Sequence, residues 1–349
     1  MTPQLGGLAR RASKIREIRN GGTPLLLLES GDFLAKEKPR TKEETAAARG
    51  KADFLLRAYR AMGYDAVLPG ELDFAAGIAL LSDHGKKGVP FVCLNLLSER
   101  TGKPLFLPYR RFSRGGITVL VTGLASESVF PRGALAGFGL TVLPPGEALF
   151  SLLARREAEA DVVIVLSHLG FSEDLELAKR AGRPLLVLGA HSRIPVWVAE
   201  AKSGSILSVP KDRGMFLREI SIGTVAGGGT GPAGFADGAL VDQYEAQRRD
   251  LLARGKEMDR KERELAERTL EAYKRMIVIP DGRRLTIPRE HPLDEKVPDD
   301  PEMVRMHGEY RKTLERQARP LTPGPIGHGE GRRDRSAGGQ EPRNERASR

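Results

Sequence analysis

Residues 161–192 read DVVIVLSHLGFSEDLELAKRAGRPLLVLGAHS. The strand read over Ala160–Leu166 holds the short, unbroken apolar run Val162–Leu166, the pattern of a buried strand. It ends in Ser167-His168-Leu169-Gly170. Leu175–Ala181 follows as a helix, and PLLVLGAHS as a second strand and loop that carries His191, with Arg193 two residues on. Strand–helix alternation of this kind predicts an α/β sheet with helices packed on its faces. Open α/β sheets gather their sites at the C-terminal ends of strands. Both histidines stand at such ends.

The same pattern extends upstream. PLLLLESGD is an apolar strand that ends in a polar turn with Asp32. After a helix over Lys42–Met62, a brief strand at Val67–Leu68 runs into PGELDF, which carries Glu71 and Asp73. Taken singly, a carboxylate after a strand is most often a turn or cap residue. A lone histidine there is most often structural or solvated. Together, two imidazoles and two carboxylates suit a divalent ion such as Zn²⁺, Mn²⁺ or Fe²⁺.

Further elements follow from periodicity and turn chemistry. Leu8–Arg19 reads as a helix and Phe91–Leu97 as a strand. Phe106–Phe112 and Ile117–Gly123 form a hairpin around Arg114-Gly115-Gly116. Glu147–Glu159 is a helix, and Ser205–Val209 and Leu217–Ile222 are closing antiparallel strands. Residues 226–238 are rich in Gly and Ala and mark a boundary. Val241–Met276 reads as one long charged amphipathic helix, Asp281-Gly282 as a hairpin turn, and Pro301–Gln317 as a terminal helix. The expected domains are 1–225, then 226–318 with the long helix, hairpin and terminal helix, then a disordered basic tail over 319–349.

Composition narrows the function classes. The net charge is +10, but aromatic residues make up only 5% of the 349, too few for interleaved stacking platforms. Nucleic acid is therefore not the expected partner. Cys93 is the one cysteine, which excludes a disulfide framework and a cysteine-based zinc site. No run approaches the roughly 18 apolar residues of a membrane helix. The basic N-terminus lacks an apolar signal-peptide segment.

Several segments resemble one family in colinear order. GGLARRASKI followed by PLLLLESGDF looks like the opening of the bacterial 5′-nucleotidases, a branch of the calcineurin-like metallophosphoesterases. GYDAVLPGELDFAAG is similar to their segment around Gly-Asn-His-Glu. DVVIVLSHLG and LLVLGAHSRIP are similar to their two histidine loops, and SGSILSVPKDRGMFLREISI to the strands that end their catalytic domain. The resemblance covers about Gly6 to Ile222. It implies a four-layer α/β/β/α sandwich with a two-metal site at one rim, here with a C-terminal helical appendage.

By that resemblance Asp32 takes the place of the bridging carboxylate, and Glu71 that of an asparagine ligand. His168 and His191 take the places of two histidine ligands. The expected cofactor is one divalent ion (zinc, manganese or iron) or none. Leu72 stands where the family has the histidine that assists the leaving group, and Arg193 where it has a further ligand. Arg193 is expected to donate to a phosphate oxygen, and Arg213 is a further candidate to face the site. The family's first strand, with an Asp-x-His pair, precedes the GGLAR helix. The fold is thus expected to be N-terminally incomplete as given, with the true start and a signal peptide upstream.

The expected function is a divergent metal-dependent phosphoester hydrolase of weak or altered activity, periplasmic or exported. Its expected partner is a phosphoester or nucleotide, with a protein partner on the long C-terminal helix. The alternative is a non-catalytic binding or redox-associated module of the same fold. GGLARRA and GELD also resemble a divergent branch in which some members carry a haem segment. No Cys-x-x-Cys-His follows here, so no haem is implied.

Overall fold

The computed structural model describes residues 5–156, 159–192, 194–200, 203–211, 213–224, 235–254, 257–276 and 284–318. Two compact units are present, Met1–Glu309 and Tyr310–Arg349. The first half of the chain builds helices α1 (Leu8–Asn20), α2 (Lys42–Met62), α3 (Ile78–Lys86), α4 (Ala134–Phe138) and α5 (Pro145–Arg156). Its strands are β1 (Leu28–Glu29), β2 (Ala66–Val67), β3 (Leu96–Ser98), β4 (Tyr109–Arg114), β5 (Ile117–Ala125) and β6 (Leu140–Val142). The second half adds β7 (Val162–His168), α6 (Phe171–Arg180), β8 (Leu186–Gly189), β9 (Val196–Glu200), β10 (Ser205–Val209), β11 (Phe216–Thr224) and β12 (Phe235–Asp237). It ends with α7 (Gly238–Arg254), α8 (Arg260–Met276), β13 (Arg284–Pro292) and α9 (Pro301–Ala318).

A six-stranded sheet in the order β4-β5-β7-β8-β10-β9 forms the centre. Its four inner strands run parallel, and the edge strands β4 and β9 run antiparallel to them. β7 is buried along its whole length, as a parallel inner strand covered on both faces must be. One face packs on α5 and α6. Leu149, Leu152, Leu153 and Leu177 from the helices meet Leu120, Val163, Val165, Val187 and Leu207 from the strands. Burying each such side chain contributes about 1.5–3 kcal/mol.

The other face meets a second, smaller sheet. β1 and β2 pair in parallel, and single bridges from Val67 to Phe91 and from Val92 to Leu107 continue the sheet. Gly123 in β5 shows how close the two layers lie: a Cβ there would come 2.6 Å from the Val92 carbonyl oxygen. α1 and α2 join this second layer through side chains that reach β1, described below. The expected α/β/β/α layering is the architecture of the molecule. The expected hairpin is β4–β5, and its Gly115-Gly116 turn has φ of 56° and 76°, the mirror-image geometry that suits right-twisted strands.

Two local expectations need correction, and another falls outside the described residues. First, Val241–Met276 is two helices, α7 and α8. Asp259 opens α8 with a reciprocal cap: the Glu262 N–H donates to Asp259 Oδ1 at 2.8 Å and the Asp259 N–H to Glu262 Oε2 at 3.4 Å. Second, the hairpin expected around Asp281-Gly282 involves a turn and a preceding apolar run that lie outside the described residues. β13 pairs with β11 over nine residues on one side and with β12 on the other. Third, β10 and β11 are in different sheets: β10 runs antiparallel to β9, and β11 to β13. The tail over 319–349 lies outside the described residues.

The strand β13 returns the chain to its beginning. The Gly6 N–H donates to the Leu293 carbonyl at 2.8 Å, and the Leu293 N–H donates to the Met215 carbonyl at 2.9 Å. No helix among the described residues is long and apolar enough to cross a membrane.

Candidate metal centre

Asp32, Glu71, His168 and His191 converge at the C-terminal ends of β1, β2, β7 and β8. One ligand atom from each lies within 4.8 Å of the others. His168 Nε2 is 2.7 Å from Glu71 Oε2 and 3.3 Å from Asp32 Oδ2. His191 Nδ1 is 3.5 Å from Glu71 Oε1. The two imidazole rings meet edge to face, with centroids 5.3 Å apart. His168 is 1% exposed and His191 37%, so the cluster opens to solvent on the His191 side.

His168 is oriented from behind. Its Nδ1 donates to the Ser30 carbonyl at 2.9 Å, which turns Nε2 toward both carboxylates. Burial alone would push its pKa down, but hydrogen bonds to Asp32 and Glu71, and their charges, raise it to about 10. A cationic imidazole between two carboxylates is the arrangement of a pre-built cation site. An ion bound there would replace the Nε2 proton, because that nitrogen has a lone pair for a metal only once the proton is lost.

Two of the four residues hold an unfavourable backbone. Asp32 has φ 59° and His191 φ 67°, the left-handed region that costs an L-residue roughly 1–2 kcal/mol. His191 is the centre of a three-residue turn closed by the Ser192 N–H on the Ala190 carbonyl at 2.8 Å. Asp32 is pinned from both sides. Its N–H donates to Asp73 Oδ2 at 2.9 Å, and its Oδ1 accepts from the Leu72 N–H at 2.9 Å.

Asp73, a candidate ligand by sequence, does something else. It is fully buried, and its carboxylate accepts three backbone N–H groups: Asp32, Gly70 at 2.8 Å and Leu34 at 2.8 Å. It ties the 30–34 loop to the 70–73 loop. Burial raises its pKa to about 7, and the Asp32 charge adds to this, against the pull of the Leu34 and Gly70 N–H groups. The loops approach so closely that only glycine fits at two positions. A Cβ on Gly31 would lie 2.7 Å from the Gly70 nitrogen and from His168 Nδ1, and one on Gly70 would lie 2.7 Å from His168 Cε1.

Sequence reasoning also missed Ser30, Glu29 and Asp174. Ser30 Oγ donates to the Leu188 carbonyl at 2.8 Å. Asp174, in the first turn of α6, accepts from Ser167 Oγ beside His168. Burial raises the Asp174 carboxyl to about 7, against the pull of the Ser167 hydrogen bond. The faint signal for Asp174 was an acidic residue seven positions after a strand-end serine. Arg193 lies outside the described residues. Arg213 stands exposed in the turn between β10 and β11, with φ 63°. Leu72 brings no polar side chain to the loop; its contribution is its N–H.

No family model matches the chain. It is similar to the UshA protein of Escherichia coli, at 26% identity over 211 residues, covering 56% of this chain and 37% of that protein. It is also similar to a 5′-nucleotidase of Vibrio cholerae, at 28% over 211 residues, covering 54% of this chain and 37% of the relative. The trifunctional nucleotide phosphoesterase YfkN of Bacillus subtilis is 26% identical over 256 residues, 62% of this chain and 17% of its own length. The chain thus spans well under half the length of these curated relatives.

Among solved structures it resembles the sulfate thiohydrolase SoxB of Thermus thermophilus, with TM-score 0.59 and 16% identity, covering 89% of this chain and 48% of that one. A 5′-nucleotidase precursor from Thermus thermophilus gives TM-score 0.57 and 20% identity, covering 90% and 54%. At these identities the structural likeness speaks for the fold.

Proposed function

We propose, for a chain distantly related to the calcineurin-like metallophosphoesterases of the 5′-nucleotidase type, that it is a divergent metal-dependent phosphoester hydrolase. Asp32, Glu71, His168 and His191 would hold one divalent ion: zinc, manganese or iron. The observation that carries this reading is the convergence of the four ligand atoms within 4.8 Å. The donors fit such an ion. Two carboxylate oxygens and two imidazole nitrogens suit borderline metals, and the His168 tautomer is already fixed by Ser30. When bound, the ion supplies Lewis-acid polarisation of a phosphoryl oxygen and a water of lowered pKa.

The chain's own residues set the rest. Glu71 and Asp32 supply negative charge from two loops that Asp73 locks together. The exposed His191 edge is the side from which a phosphoester would enter. Arg193 stands two residues beyond His191, in reach by sequence to donate to a phosphate oxygen. Leu72 cannot give or take a proton, and lack of a positioned acid costs about 10²–10⁴ in rate. The substrate class is a nucleotide or other small phosphoester, and the place of action outside the cytoplasm. We assign residues 1–225 the site and 226–318 an added structural and partner-facing role.

Leu72 also favours a second reading, a non-catalytic descendant that binds a metal without turnover. One experiment separates the two: metal content of the purified protein, then phosphate release from a set of nucleotides and p-nitrophenyl phosphate with Zn²⁺, Mn²⁺ or Fe²⁺. Turnover abolished by Asp32→Ala supports the hydrolase. Bound metal with no turnover supports the second reading. A protein that takes up none of these metals refutes both.

A further inference from the structure

Behind the centre lies a partly buried polar cluster that none of the four converging residues belongs to. Arg11, the last residue of the GGLARR segment in α1, donates from Nη1 to Tyr59 Oη at 2.7 Å and to Tyr64 Oη at 3.3 Å. The same nitrogen is 3.7 Å from Glu29 Oε2. Tyr59 Oη donates to Glu29 Oε2 at 2.8 Å. The Tyr59 ring is stacked between Phe33, at 4.5 Å, and Tyr64, at 4.2 Å. Phe33 is the residue after Asp32.

A charged pair inside a protein is costly to desolvate, and an apolar pair would hold α1 to β1 as well. The second oxygen of Glu29 suggests what this cluster does. Glu29 Oε1 accepts from the Ser30 N–H at 3.1 Å. Ser30 in turn offers its carbonyl to His168 Nδ1 at 2.9 Å and its hydroxyl to the Leu188 carbonyl at 2.8 Å, on the strand that leads to His191. The Glu29 carbonyl accepts from the Leu68 N–H at 2.9 Å, on the strand that leads to Glu71. Glu29 and Ser30 therefore touch the supports of three of the four converging side chains.

We infer that Glu29, clamped by Arg11 and Tyr59, is a positioning residue for the metal centre. It holds the Ser30 N–H, and the Ser30 carbonyl, in the next peptide group, fixes the ring of His168. The inference rests on the metal-binding reading above. The outer hydrogen bond to the histidine ligand is made by the Ser30 carbonyl, a bond whose loss typically lowers metal affinity about 10–100-fold, and Glu29 acts through it from one step further out.

The test measures Zn²⁺ affinity by chelator competition, and the visible absorption of the Co²⁺-loaded protein, for wild type and variants below their melting transitions. Tyr59→Phe keeps both ring stacks and removes the hydroxyl on Glu29. Glu29→Ala removes the acceptor, and Glu29→Gln restores an oxygen acceptor. The expected result is a loss of about 10-fold for Glu29→Ala, the low end of the range for a direct partner of a ligand, a smaller loss for Tyr59→Phe, and partial recovery for Glu29→Gln. The Co²⁺ bands should shift in the same order.

If Glu29→Ala does not fold, Tyr59→Phe decides the matter. Wild-type affinity and an unaltered Co²⁺ spectrum in a folded Tyr59→Phe or Glu29→Ala protein overturn the inference while the metal-binding reading stands. A wild type that binds neither ion overturns both.

Discussion

Cys93 is 1% exposed, and its sulfur lies 3.7 Å from Asn95 Oδ1. Burial raises the thiol to about 11, against the pull of backbone hydrogen bonds. The thiolate is the reactive form, so at pH 8 the folded protein should be inert to a thiol reagent. Ellman's reagent should report one thiol in denaturant and close to none without it; fast reaction of the native protein would contradict this burial. Residues such as Asp32, Glu71, His168 and His191 could be read from sequence because each follows a short apolar strand. Glu29 and Ser30 could not, and Asp73 could be read only as a candidate ligand, not as the tie between two loops that it is. Asp73 acts on N–H groups 39 and 41 positions away. A backbone donor carries no residue-type signal, so nothing in the local sequence marks its partner.

Among the elements, α6 shows how a helix can serve the strand before it. Asp174 sits in its first turn and accepts from Ser167, while a Cβ on Gly189 would come 2.7 Å from Asp174 Oδ2. The helix is thus locked to the ends of β7 and β8. Asp174→Ala leaves the buried Ser167 hydroxyl without its acceptor and should destabilise the fold by about 1–3 kcal/mol. Asp174→Asn keeps an acceptor without a buried charge and should cost far less. Urea denaturation of both variants checks this, and equal losses would refute it. The helices α7 and α8 give the converse lesson about legibility. Charge and apolar spacing run through Val241–Met276, so periodicity reads one helix. The Asp259-x-x-Glu262 cap that starts α8 was present in the sequence as a start signal.

For the molecule as a whole, the sequence reading put a boundary near residue 225, where the family resemblance ends. Beyond that boundary, β13 fills the edge of β11 over nine residues, and Leu293, Val297 and Met303 are buried. A chain cut after Thr224 would expose the whole β11 edge, an invitation to strand pairing between molecules. It should melt lower than the full chain and associate on size-exclusion chromatography. A monomeric fragment with the full chain's melting temperature would make 1–225 an autonomous domain. The α/β layering was legible because strands and helices alternate up to Ile222. The return of β13 was not, because 59 residues separate Thr224 from Arg284 and no local pattern names a partner so far away.

The left-handed backbone at Asp32 and His191 has a consequence for anyone redesigning this protein. An engineer asked only to make the fold more durable would write glycine at both positions, and local sterics would approve. Whatever keeps an aspartate and a histidine there is answerable to the side chains alone.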